Sequence, residues 1–283
     1  MVAILRYQRE HILEAVRAMY TEVAANPQKV FHFPTGRCAC LLVGYPESEL
    51  ERLPPGALES FAGVGYPFLA GAVGQEDVVL DVGSGSGTDT LIASLRVGPR
   101  GKVYALDMTE AMLHKLRGNV REMGAGNVEA LSGNAEDIPL PDASVSAVTS
   151  NGVLNLVPDK RRAFSEIFRV LAPGGRLQIA DIAVGHPASA ECRDNPRLWA
   201  ECIVGALPEE DYLDALRMAG FTGVAVLARL DYFALSSSAE TRHVAQSLNA
   251  HSIVLRASKP QRGGAGLGGR VLSSLRIAWR NFP

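Results

Sequence analysis

Four cysteines, at positions 38, 40, 192 and 202 of 283 residues, are too few for a disulfide framework in a chain of this size, and they read as free thiols. No uncharged apolar run reaches the roughly 18 residues that a membrane span needs. Arg6, Arg9, Glu10 and Glu14 interrupt the N-terminal apolar residues, so no signal peptide is expected either. There is no basic excess: the net charge of −2 argues against general nucleic-acid binding, which draws on many phosphate contacts. No lysine follows the glycine-rich loop at 83–87, which excludes a P-loop. No internal repeat is evident. These absences leave a cytoplasmic globular protein with a small-molecule partner.

With 47% apolar and 20% charged residues, the chain can bury a sizeable core as one α/β domain with appended segments. Its organising stretch is Val78-Val79-Leu80-Asp81-Val82-Gly83-Ser84-Gly85-Ser86-Gly87-Thr88-Asp89. An apolar strand breaks into alternating glycines and then a helix start, which turns free backbone N–H groups toward a ligand. The spacing is G-x-G-x-G, not the dinucleotide G-x-G-x-x-G. A second strand, 102–106, ends in Asp107, where a ribose-binding acid would stand.

From Asp77 onward, strand patterns at 78–82, 102–106, 128–132, 145–150 and 175–181 alternate with helical patterns at 88–96, 109–123 and 159–171. That alternation predicts a mostly parallel, doubly wound sheet with crossover helices. Ala172-Pro173-Gly174-Gly175 is expected to stop the last helix in a tight turn. An amphipathic helix is expected over 10–25 and a short one over 47–53, with 61–68 a loop leading into the core. Residues 186–222 read as mostly helical, and strands at 223–230 and 251–257 flank a helix at 238–248 capped near Ser238. Four units follow: an N-terminal helical cap (1–60), a ligand-binding core (61–185), substrate-side helices and terminal strands (186–260), and a glycine-rich linker with a basic amphipathic tail (261–283). In the tail, Val271, Leu272, Leu275, Ala278, Trp279 and Phe282 form one helical stripe, as in a membrane-surface or partner-docking helix; a disordered or self-packed tail is the other reading.

Leu80-Asp81-Val82-Gly83-Ser84-Gly85-Ser86-Gly87, Asp107-Met108-Thr109, Gly133-Asn134-Ala135-Glu136-Asp137 and Arg169-Val170-Leu171-Ala172-Pro173-Gly174-Gly175 together resemble the motifs of class I S-adenosylmethionine-dependent methyltransferases over about residues 60–185. The resemblance implies a Rossmann-like fold and S-adenosylmethionine as cofactor. The implied cofactor-binding set is Asp81, Gly83, Ser84, Gly85, Gly87, Asp107, Met108, Asn134, Ala135, Glu136 and Asn151. The glycine loop would hold the methionine portion, Asp107 the ribose hydroxyls and Met108 one face of adenine, with Ala135 and Glu136 along its edge.

Over about residues 19–222 the chain is more specifically similar to arsenite methyltransferases, through Ala62-Gly63-Val64-Gly65, Ser150 to Lys160 and Trp199 to Leu207. That family holds trivalent arsenic through thiolates, because a soft centre prefers sulfur. Val64 and Gly152 stand where the family has cysteine, and only Cys202 matches. One thiolate cannot supply the two or three soft ligands that arsenic needs. Cys38 and Cys40, which would share one face of an extended chain, could replace the missing pair or could simply be small core residues; no metal site is expected of them. The substrate-side set is therefore Tyr20, Cys38, Cys40, Val64, Gly152 and Cys202, and the acceptor is a metalloid, a thiol or a small organic molecule. A thiolate or lone pair needs no base, whereas a hydroxyl or enolic carbon does, with His32, Tyr20 and Tyr66 as candidates near the mouth that packing also explains. No catalytic residue is assigned. The alternative is a catalytically silent cofactor-binding module serving regulation or assembly.

Overall fold

The computed structural model describes residues 2–188, 199 and 203–261, with the side chains of 2–8 and 235 left aside. Cys192, Cys202 and all but the first residue of the linker and tail expected over 261–283 lie outside the described residues.

The sheet runs in the order β3-β2-β1-β4-β5-β8-β7. Strands β1 (Val78–Val82), β2 (Lys102–Asp107), β3 (Val128–Ser132), β4 (Val145–Asn151) and β5 (Leu171–Val184) are mutually parallel. β8 (His251–Ser258) returns antiparallel on β5, and β7 (Thr222–Leu230) is antiparallel to β8. The two-residue β6 (Leu207–Pro208) pairs with the end of β5. This is a Rossmann-like α/β fold with a mostly parallel sheet.

Strand alternation sorts the core onto two faces. Val79 of β1 packs with Leu91 and Ile92 of α5 (Thr88–Val97), whereas Leu80 and Val82 pack with Phe164 and Ile167 of α7 (Lys160–Val170) and with Tyr212 of α8 (Glu209–Met218). Helix α6 (Glu110–Met123) sets Leu113 and Leu116 against Ala105 of β2. Ala172–Gly175, expected as a turn, forms the bulged start of β5: the register jumps from Val145 beside Leu171 to Ala147 beside Arg176. Sheet pairing carries the strand through the Pro-Gly-Gly signal. The helix α9 (Ala239–Leu248) begins at Ser238, whose Oγ accepts from Thr241 N–H at 3.1 Å.

Helix α1 (Val2–Ala25) is longer than its apolar pattern suggests and lies against α6. Short helices α2 (Gly36–Leu42), α3 (Glu47–Leu50) and α4 (Pro55–Glu59) complete the N-terminal region. The helix at Glu47 stops at Leu50, earlier than expected. Of the stretch 186–222, the described residues form the short β6 and then the helix 209–218, so that reading is met only in part. Among the described residues, no helix is long and apolar enough to cross a membrane.

Candidate functional site

Because β1 lies between β2 and β4, the strand order reverses at β1, and the crevice at its carboxyl end is where ligands settle in such sheets. Gly83 and Ser84 both donate backbone N–H to the carbonyl of Leu106, at 2.8 and 2.9 Å, which fastens the glycine loop to the end of β2. Gly83, Gly85 and Gly87 have φ of +75°, +52° and +103°, a region costly for other residues. Their surroundings differ. A Cβ on Gly83 would stand 2.2 Å from Val153 Cγ2 and one on Gly87 2.6 Å from Leu116 Cδ1, but one on Gly85 would meet nothing within 4 Å. Gly85 thus presents bare backbone to open space.

Gly85 N–H donates to Asp107 Oδ2 and Thr109 N–H to Asp107 Oδ1, each at 2.8 Å. A carboxylate at this place is the acceptor that suits a vicinal diol. Burial pushes the Asp107 carboxyl above its ordinary pKa, opposed by the N–H donors of Thr109 and Gly85.

A cavity of about 1000 Å³, counting its open mouth, occupies this crevice. Gly83–Ser86 and Asp107–Thr109 form one wall, Gly133–Glu136 the next, and Asn151–Val153 with Leu156 and Val157 the far side. Phe61, Ala62 and Gly63 close one end, and Leu13, Val16 and Tyr20 of α1 lie across the top. Ser84 Oγ is buried here without a hydrogen-bond partner. A lone buried hydroxyl costs free energy unless a ligand completes it. The orphan hydroxyl of Ser84, the bare Gly85 backbone and the Asp107 carboxylate together fit a polar nucleoside with an amino-acid appendage.

Of the expected cofactor residues, Gly83, Ser84, Gly85, Asp107, Met108, Asn134, Ala135, Glu136 and Asn151 line the cavity. Gly87 supports the loop from behind, with its N–H on Ser84 O at 2.9 Å. Asp81 is a correction. It is 2% exposed, outside the lining, and its Oδ2 accepts from Thr90 Oγ1 at 2.5 Å, because strand alternation turns it under α5 together with Val79. Burial pushes its pKa well above the carboxylate range, and the charge of Asp89 adds to this.

Three of these residues are also structural ties. Asn151 Oδ1 accepts from Val64 N–H at 2.8 Å, while its Nδ2 donates to Tyr45 Oη at 2.9 Å and to Asp89 Oδ2 at 3.0 Å. Tyr45 Oη donates in turn to Asp89 Oδ1. Glu136 Oε2 accepts from Arg9 Nε at 2.7 Å and its Oε1 from Asp159 N–H at 2.8 Å, so an ion pair fastens α1 beside the cavity. Asn134 Oδ1 accepts from Glu136 N–H at 2.9 Å, shaping that loop.

On the substrate side, Tyr20 and Gly152 line the cavity. Val64 is buried beside Gly152 and outside the lining: a Cβ on Gly152, at φ +70°, would stand 3.3 Å from Val64 Cγ1. Cys38 and Cys40 do not form a pair. The segment is helical, not extended, so the two side chains diverge; Cys40 is fully buried and Cys38 exposed. Burial pushes the Cys40 thiol up, away from thiolate character, and Asp89 adds to the shift. Neither cysteine lines the cavity. Of the candidate bases, Tyr66 accepts from Arg96 at 2.7 Å and donates to Glu49 at 3.0 Å outside the cavity, and His32, packed edge-on to Phe33, is not in the lining.

Sequence reading missed Arg9, Tyr45 and Asp89 as contributors. An acid at the second residue of a helix that follows a glycine loop is the one local signal for Asp89. Burial holds its pKa up at about 6, against the hydrogen bonds from Tyr45 and Asn151. Arg9 and Tyr45 reach the site from 127 and 44 residues away, and no local pattern marks them.

Comparison with known proteins agrees with this geometry. A family described as a methyltransferase domain matches residues 74–229. The arsenite methyltransferase of Halobacterium salinarum is 38% identical over 184 residues, covering 65% of this chain and 47% of the relative. The Escherichia coli ubiquinone/menaquinone biosynthesis C-methyltransferase is 33% identical over 193 residues, covering 60% and 74%. Among solved structures, the arsenic(III) S-adenosylmethionine methyltransferase of Chlamydomonas reinhardtii superposes with a TM-score of 0.61 at 31% identity, covering 82% of this chain and 76% of that one. The chain thus spans about half the length of the Halobacterium relative.

Proposed function

The chain belongs to the class I S-adenosylmethionine-dependent methyltransferases, in the group similar to the arsenite methyltransferases, and we propose that its acceptor is a small organic molecule, not thiolate-held arsenic. The observation that supports this reading is the contrast between the two halves of one cavity: a complete donor half, and an acceptor half whose described wall carries no thiol. Val64 and Gly152 remove two soft ligands, and α2 keeps Cys38 and Cys40 apart. Cys202 alone would leave arsenic under-coordinated.

When bound, S-adenosylmethionine supplies a sulfonium methyl group for in-line displacement. Asp107 would accept hydrogen bonds from the ribose hydroxyls, Met108 would cover the adenine with Ala135 and Glu136 along its edge, and Ser84 with the Gly85 backbone would receive the methionine portion. Asn151 is spent on holding the Ala62–Gly65 chain to the end of β4, so it shapes the acceptor end and takes no proton. Holding donor and acceptor in line and excluding water can supply roughly 7–11 kcal/mol of the barrier. Leu13, Val16 and Tyr20 of α1 provide the cover.

The test is methyl transfer from labelled S-adenosylmethionine, with arsenite plus thiol in one arm and a panel of small quinols, phenols and thiols in another. Label in an organic product is expected. Methylated arsenic as the main product would overturn the acceptor assignment, and stoichiometric donor binding with no turnover would favour a silent module.

A further inference from the structure

Lys160 is a cation buried to 8% exposure at the first turn of α7. Its Nζ donates to the carbonyls of Asn155 and Val157, each at 2.9 Å, and stands 5.2 Å from the ring centre of Trp199. Trp199 Nε1 donates to the intervening carbonyl, that of Leu156, at 2.9 Å. Three successive carbonyls of one turn are thus capped by two side chains that touch each other. Asn155 N–H closes the turn from below onto Asp181 Oδ2, at 2.9 Å. Leu156 and Val157 of this turn line the cavity.

Residues 203–206 are fitted to the same turn. A Cβ on Gly205 would stand 2.4 Å from Asn155 O and 2.6 Å from Trp199 Nε1. Ile203, Val204 and Ala206 are buried. The donor half of the cavity is built on the ends of β1, β2 and β3, so the turn after β4, with Trp199 and residues 203–206 against it, belongs to the other half. On the opposite side, Asp159 N–H ties the start of α7 to Glu136.

We propose that Lys160 is a positioning residue of the acceptor wall: its buried ammonium, on Asn155 and Val157 and over Trp199, holds the Leu154–Val157 turn, Trp199 and residues 203–206 in one arrangement. Only the word acceptor rests on the methyl-transfer reading. A buried ammonium needs this many partners, since an unpaired one would neutralise. The charged groups facing it are Asp181 on β5, Glu136 after β3 and Asp159 before α7, and Tyr212 of α8 acts through its bond to Asp181. Burial lowers Lys160 to about 8, with those acids opposing. A neutral amine would lose the charge over the indole and weaken both carbonyl bonds.

The test uses the 283-residue chain with Trp279→Phe, which leaves Trp199 as its one tryptophan. Lys160→Met is expected to raise acrylamide quenching of Trp199 roughly threefold or more, the effect of losing hydrogen bonds that oppose local opening. Affinity for S-adenosylhomocysteine, measured by calorimetry, should change less than about twofold, because both carbonyls that Lys160 binds, those of Asn155 and Val157, lie outside the donor set. Lys160→Arg should restore most of the protection. Unchanged quenching in Lys160→Met overturns the proposal, and so does loss of protection together with loss of ligand binding, which would make Lys160 a general fold residue. Should Lys160→Met fail to fold, a pH titration decides: Trp199 emission should change with a midpoint near 8 and stay flat through that range in Lys160→Arg. A flat profile with Lys160 present overturns it. A chain that shows the Trp199 effects but binds no S-adenosylhomocysteine would contradict the donor assignment and leave the role of Lys160 standing.

Discussion

The backbone N–H of Gly85 donates to Oδ2 of Asp107 at 2.8 Å, joining the glycine loop after β1 to the acidic end of β2. One carboxylate thereby does two things. It fixes the glycine loop, and in the proposed reading it would also receive the ribose hydroxyls. A neutral loop residue and a charged strand end are set in a single geometry before any ligand arrives, which is preorganisation in the sense that lowers the ordering cost of binding.

Asp107→Ala should therefore weaken S-adenosylhomocysteine binding by about 10- to 100-fold, the range expected when hydrogen bonds to a charged group are lost. Calorimetry on the folded variant reads this. Affinity within about twofold of the parent would show that the ribose is held elsewhere.

Gly85→Ala and Gly83→Ala should separate binding from stability. A methyl on Gly85 meets open cavity, so the variant stays folded, with a cost of roughly 1–2 kcal/mol for the positive φ, and loses ligand affinity. A methyl on Gly83 meets Val153 at 2.2 Å, so its melting temperature falls further. Thermal denaturation beside calorimetry distinguishes the two, and the reverse ranking would refute the proposed loop geometry.

Asp89 gives a pH prediction. Burial raises its folded pKa to about 6, above the unfolded carboxylate value of about 4. Between those values the folded state binds the proton more tightly, so the Asp89 contribution to stability is full below about pH 4 and declines as pH rises to about 6. Asp89→Asn removes that decline. The stability of Asp89→Asn minus that of the parent should grow from pH 4 to 6 and then level, as read by urea denaturation at several pH values; a constant difference counts against a raised pKa.

Restoring the absent thiols should restore soft-metal chemistry. Val64→Cys with Gly152→Cys places two sulfurs beside each other, although Cys at 152 carries strain from its φ of +70°. Calorimetric titration with arsenite is expected to show tight binding in the double variant and none in the parent. Equal binding by both would mean that the parent already holds arsenic.

The order of strands and helices from β1 to β5 was legible because each element carries its own period and its own stop signal. Gly83 to Gly87 and Asp107-Met108 were legible for a similar reason, since a loop and the residue after a strand are local features. Asp81 was misplaced because only the pleat decides which face of β1 it takes. Cys38 and Cys40 were read as able to share an extended face, but the chain is helical from Gly36 to Leu42 and divides them between core and solvent. The Tyr45–Asp89–Asn151 network spans separations of 44, 62 and 106 residues. Such contacts exist only once the sheet has assembled, so no window of sequence contains them.

The most direct measurement is the fate of the labelled methyl group of S-adenosylmethionine in the presence of the intact chain, the acceptor panel and arsenite. The label should pass to a small organic acceptor, S-adenosylhomocysteine should accumulate in equal amount, and Asp107→Ala should slow both about 10- to 100-fold at limiting donor. Label retained in bound donor under every condition, or recovered mainly as methylated arsenic, would contradict the account.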